Sequence, residues 1–135
     1  MSHNNVYILE DRAILYVSGA DASDFLQNLI SNNIDKVTDI SSCFTSLLTP
    51  QGKFLYEFII VKNKLGYFLD CEKSQVENLF KQLNLYKIRS KVEILNLSNE
   101  FVVAAFNYEK FLSLENSKDI LGHTLKYRED PILLD

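Results

Sequence analysis

Glu57 sits in the middle of "KFLYEFIIV", the most apolar stretch of a 135-residue chain. Read as a strand, this stretch puts Phe54, Tyr56, Phe58 and Ile60 on one face and Leu55, Glu57, Ile59 and Val61 on the other. A carboxylate buried there without a partner would cost several kcal/mol or raise its own pKa. Glu57 must therefore reach solvent, pair with a base, or face a polar cavity. In the first reading it lies at a sheet edge or beside a Lys or Arg. In the second it is a carboxylate in a ligand cavity, able to accept hydrogen bonds from a ligand's donors. Tyr56 points to the opposite face, so the two would not line one pocket together.

The other chemistry-bearing residues form weaker patterns. Cys43 and Cys71, with two histidines in the chain, match no zinc spacing and read as buried or inert thiols. His123, near a glycine turn, reads as a surface residue. Ser18 and Ser46 lack a nucleophile motif, and spacing alone builds no Ser-His-Asp arrangement. Asp11 and Arg12 read as solvated charges, as do Lys87, Arg89 and Lys91, which form a small basic patch. The stretch "SGADASDFLQNLISNN" has the outline of a phosphate loop before a helix. It lacks a second glycine and a Gly-Lys-Ser/Thr, and its two acids would repel a phosphate. Gly19 is then a turn residue. No residue is assigned as catalytic and none as a metal ligand.

Short elements must position these groups. "VYILE" and "AILYV" read as two strands joined by a tight turn. Asp21 is an expected N-cap, and Ala22, Phe25, Leu26, Leu29 and Ile30 form one helical stripe. "SSCFTSLLT" reads as a strand. Pro50 and Gly52 mark a turn into the strand that holds Glu57, and "YFLDC" is its hairpin partner. Ser74 and Glu77 have capping-box spacing, and Val76, Leu79, Phe80 and Leu83 give a second amphipathic helix. "SKVEILNL" and "EFVVAAF" close the pattern as strands. The order β-β-α-β-β-β-α-β-β predicts an α+β fold, a mainly antiparallel sheet with two amphipathic helices on one face. From Tyr108 onward the pattern weakens to a short helix, a turn at Gly122 and an extended end.

The composition suits one globular domain, with 47% apolar and 24% charged residues. A net charge of −4 gives no footprint for direct nucleic-acid binding. No apolar run approaches the ~20 residues of a membrane-spanning helix. "MSHNN" has neither the basic nor the apolar region of a secretory leader, and the expected location is cytoplasmic.

In order along the chain stand Gly19-Ala20-Asp21, Phe25-Leu26-Gln27, Ser31-Asn32-Asn33-Ile34, Gly52-Lys53 and Tyr86-Lys87-Ile88-Arg89-Ser90-Lys91-Val92. Over about residues 6 to 106 this series resembles the N-terminal region of the YgfZ/glycine-cleavage T-protein superfamily of folate-binding proteins. Tyr56-Glu57 stands where T-proteins carry two adjacent acids, and Gly52-Lys53 where they have Gly-Gly. Both departures favour the YgfZ branch. Asn33 replaces the family's usual Asp.

The resemblance implies an aminomethyltransferase-type folate-binding domain with tetrahydrofolate, or a reduced-folate derivative, as cofactor. It implies Glu57 as a residue of the folate cavity, with Phe44 as an aromatic lining the same cavity. The implied function is support of iron–sulfur cluster assembly or repair and, through it, tRNA modification. The implied partners are iron–sulfur proteins or assembly factors. Residues 1–106 would be the folate-binding domain, and 107–135 the start of a connection to a second half, supplied in cis or in trans. The family's cysteine signature, Lys-Gly-Cys-Tyr-x-Gly-Gln-Glu, lies in that second half and not in this chain. Two alternatives stand beside this reading: a glycine-cleavage-type aminomethyltransferase, weakened by the missing second acid, and a non-catalytic interaction domain of the same fold.

Overall fold

The computed structural model describes residues 7–39, 41–48 and 54–105. The expected turn at Pro50 and Gly52, the surface position of His123 and the elements after Tyr108 lie outside them. The element order is β1 (Tyr7–Ile8), β2 (Arg12–Ser18), α1 (Ala22–Gln27), β3 (Cys43–Leu48), β4 (Phe54–Asn63), β5 (Gly66–Glu72), α2 (Val76–Tyr86), β6 (Glu93–Asn96) and β7 (Ala104–Ala105). This is the order read from the sequence. Single 3₁₀ turns at Ile34–Lys36 and Lys73–Gln75 lead into β3 and α2.

Five strands form one antiparallel sheet in the order β3-β4-β5-β2-β6. Alternation along them decides which side chains are buried. Ala13, Leu15 and Val17 of β2, Phe58 and Ile60 of β4, and Tyr67, Leu69 and Cys71 of β5 join the main core. On that face they meet Ala22, Phe25 and Leu26 of α1 and Val76, Leu79 and Leu83 of α2. The fold is therefore α+β with both helices on one face, as the apolar stripes require. The opposite face carries a smaller cluster of Ile59, Val61 and Phe68, with Ile14, Tyr16 and Leu97 against it.

Local details depart from the sequence reading. β1 does not pair with β2 but with β7, Tyr7 opposite Ala105, in a separate two-stranded ribbon. The turn at Leu9–Arg12 instead feeds β2 into the large sheet, where its partners are β5 and β6. The capping box does not form. Ser74 lies within the 3₁₀ turn, Gln75 takes the N-cap position without a side-chain bond, and Glu77 accepts from the Asn96 amide at 3.0 Å. Asp21 occupies the N-cap position of α1 but makes no capping bond. Its carboxylate accepts instead from the Lys91 backbone N–H at 2.7 Å.

That bond belongs to a clasp that closes the sheet. The Asp21 N–H donates back to the Lys91 carbonyl at 3.2 Å. Gly19 has φ 116°, and a Cβ there would stand 2.4 Å from the Lys91 carbonyl oxygen. Glycine is required twice over, for the backbone angle and for the close approach. The clasp fixes the turn between β2 and α1 against the entry to β6.

Candidate functional site

Phe44 and Glu57 are brought onto one surface by the register of β3 and β4. Ser46 stands opposite Glu57 and Phe44 opposite Ile59. Cys43 and Leu47 belong to the main core, so Phe44 and Ser46 face away from the helices. Tyr56 packs partly against that core, and Glu57 points to the other side with Ile59 and Val61. The predicted opposition of Tyr56 and Glu57 holds. Both candidate residues are exposed, Phe44 to 44%. Of the three ways for Glu57 to avoid unpaired burial, the strand satisfies it by reaching solvent.

The same face holds an ion pair that the sequence reading passed over. Arg12 Nε donates to Asp70 Oδ1 at 2.8 Å, and Arg12 Nη2 to the Asp70 carbonyl at 2.9 Å. The Asp70 side chain is only 6% exposed and the Arg12 side chain 23%. Arg12 is thus a half-buried counter-charge and not a solvated one. The signal was present: "YFLDC" places an acid within an apolar strand, as "YEFII" does. The register that sets Phe58 opposite Cys71 and Arg12 opposite Glu72 gathers Glu57, Glu72 and Arg12 at one end of the sheet. Aromatic residues hold the other end, with Tyr16 and Phe68 rings 4.8 Å apart and Phe101 edge-on to Phe68.

The loop after α1 secures the outer strand of this surface. Gln27 grips it at two points, donating to the Asn32 carbonyl at 3.0 Å and accepting from the Ile34 N–H at 2.8 Å. Asn33 accepts from Asp35 N–H and starts the 3₁₀ turn. Asn32 donates to the Phe44 carbonyl at 3.2 Å, and Ser31 bonds the backbone of Ser46 at both N and O. Residues 29–32 therefore line the free edge of β3. The motif residues of this stretch do structural work that holds Phe44 in place.

Neither cysteine is presented for chemistry. Cys71 is buried under the helices, which pushes its thiol up to about 12; Arg12 opposes the rise, and Asp70 and Glu72 add to it. Cys43 is also raised by burial, with Lys36 opposing. Such thiols stay protonated, and thiols are poor nucleophiles and poor ligands. The surface offers instead an accessible carboxylate and an exposed aromatic ring diagonal to it in the register of β3 and β4, with the Asp70-bound guanidinium of Arg12 at the carboxylate's end. Such a set can grip a flat heterocycle that carries N–H donors.

Comparison with known proteins finds relatives of the chain and a solved structure of similar fold. The chain is 33% identical over 99 residues to the "Iron-sulfur cluster assembly factor IBA57 homolog, mitochondrial" of Neurospora crassa, covering 68% of this chain and 23% of that protein. To the protein of the same name in Coccidioides immitis it is 28% identical over 134 residues, covering 87% of this chain and 32% of the relative. Its fold matches the glycine cleavage system aminomethyltransferase T of Bartonella henselae with a TM-score of 0.63 at 15% identity, over 71% of this chain and 28% of that one. No family model matches the chain. The chain thus spans about a quarter to a third of the length of these relatives. Both curated relatives are mitochondrial by name, which overturns the cytoplasmic location expected from the sequence. Free, buried thiols are as compatible with a mitochondrial location as with a cytosolic one, so they could not separate the two.

Proposed function

Because the chain belongs to the YgfZ/glycine-cleavage T-protein superfamily, we propose that it is the tetrahydrofolate-binding part of a mitochondrial protein that supports iron–sulfur cluster assembly. The observation that carries this reading is the joint placement of Phe44 and Glu57 on the helix-free face of an aminomethyltransferase-type sheet. Glu57 would accept hydrogen bonds from the N–H donors of the reduced pterin ring, and Phe44 would give that ring an apolar platform. When bound, tetrahydrofolate supplies secondary amines that can carry one-carbon units. Residues 1–106 would form this domain, and the rest of the site would come from a second half in cis or in trans. The likeness to iron–sulfur assembly factors favours an accessory role over one-carbon transfer. Support of tRNA modification would then follow indirectly, through the cluster-bearing enzymes that carry it out.

Anaerobic titration of the full-length protein with tetrahydrofolate, followed by calorimetry, tests the reading. Glu57→Gln keeps the side chain's shape but removes its charge, and should weaken binding about tenfold. Phe44→Ala should weaken it by a similar factor. Unchanged affinity in both variants would remove this face from the folate site. Absence of binding in the wild type would leave the fold as an interaction domain.

A further inference from the structure

We propose that the end of α2 and the loop after it form a docking surface for an acidic protein partner. Between residues 81 and 92 lie Lys81, Lys87, Arg89 and Lys91 and no acid, in a chain of net charge −4. This segment is therefore a local reversal of sign. Lys81 and Leu85 share the outer side of α2, away from buried Val76, Leu79 and Leu83, and Ile88 follows in the turn just past the helix end. Leu85 is 64% exposed and Ile88 80%. The result is two exposed aliphatic side chains flanked in sequence by Lys81, Lys87 and Arg89.

The loop that carries it is built to stay in place. Lys87 N–H closes the helix onto the Leu83 carbonyl at 3.1 Å, and Ser90 N–H turns back to the Lys87 carbonyl at 2.7 Å. Lys91 is then held by the Gly19–Asp21 clasp through both its N–H and its carbonyl. A loop tied at both ends loses little further freedom on binding, which lowers the cost of association. The surface is separate from Phe44 and Glu57, which sit on β3 and β4, across β5 and β2 from the β6 side of the sheet.

The chemistry of the partner follows from the mixture. A phosphate backbone would use the four cations but not Leu85 and Ile88, and the net negative chain would oppose a polyanion. An anionic membrane would need a wider apolar face than two side chains. An acidic protein surface with a small apolar recess uses both parts, the cations and the aliphatic groups.

The test places a photo-crosslinking benzoylphenylalanine at residue 88 of the full-length protein in its own cells and maps the adducts by mass spectrometry. The expected result is a protein adduct at an acidic segment, reduced about tenfold by Lys87→Glu with Arg89→Glu. Lysines placed in that segment should restore the adduct to the double-Glu protein. Leu85→Ser, a third exposed variant, should lower the yield about fivefold without affecting folding. Adducts to RNA or lipid, a protein adduct indifferent to the charge reversal, or no adduct at all would each overturn the proposal.

Discussion

At the scale of single residues, the decisive groups are those for which the structure leaves no substitute. Gly19→Ala would force a Cβ into the Lys91 carbonyl and strain a positive φ, so a loss of about 2 kcal/mol or more in urea denaturation is expected. Arg12→Leu would leave the Asp70 carboxylate buried without its counter-charge, at a cost of about 3 kcal/mol. Adding Asp70→Leu should recover most of it; an additive loss in the double variant would contradict the pairing. Cys71 makes stability depend on alkali. The unfolded thiol ionises near 9.0 and the folded one near 12. The stabilising difference is therefore complete below pH 9.0 and is lost as pH rises through that window, by about 1.4 kcal/mol per pH unit. Urea midpoints at about pH 8 and about pH 10 should diverge in the wild type and differ less in Cys71→Ala, where only the smaller contribution of the buried Cys43 thiol remains. Glu57 was legible in the sequence because an acid breaks an apolar alternation. Asp70 breaks one too, but its partner sits 58 residues earlier, and no spacing rule links the two.

At the scale of elements, periodicity was enough for the order of strands and helices and for the buried face of each helix. It could not reveal end effects, because helix ends are settled by whichever partner the tertiary fold brings near. Asp21 has the chemistry of a cap, yet bonds Lys91, 70 positions away. Ser74 and Glu77 have capping-box spacing, yet Glu77 serves Asn96. Ser74→Ala should accordingly change stability by no more than about 0.5 kcal/mol, whereas the loss of a working cap would cost about 1 kcal/mol. A thermal melt separates the two. Gln27→Ala should act differently. It removes both bonds to the 31–34 loop, and hydrogen exchange should quicken along the outer edge of β3. Unaltered protection there would show that the edge is held by Ser31 and Asn32 alone.

At the scale of the whole molecule, two surfaces divide the labour. The helices cover one face of the sheet, and the other face carries Phe44 and Glu57, opposite the core that supports them. The family motifs legible in the sequence proved largely to be joints: Gly19 and Asp21 hold residue 91, while Gln27 and Asn32 hold β3. A motif of joints identifies a fold with little need of catalytic residues, which is why the chemistry was harder to read than the architecture. The strand order has a further consequence for how the chain is made. β2 leaves the ribosome well before either of its sheet neighbours, because β5 and β6 come more than forty residues later. Until residue 96 is free, β2 has an open hydrogen-bonding edge on the side that β6 will occupy. The nascent chain is therefore a natural client for chaperones throughout that interval, and a pause in translation between β2 and β6 would prolong its exposure to aggregation.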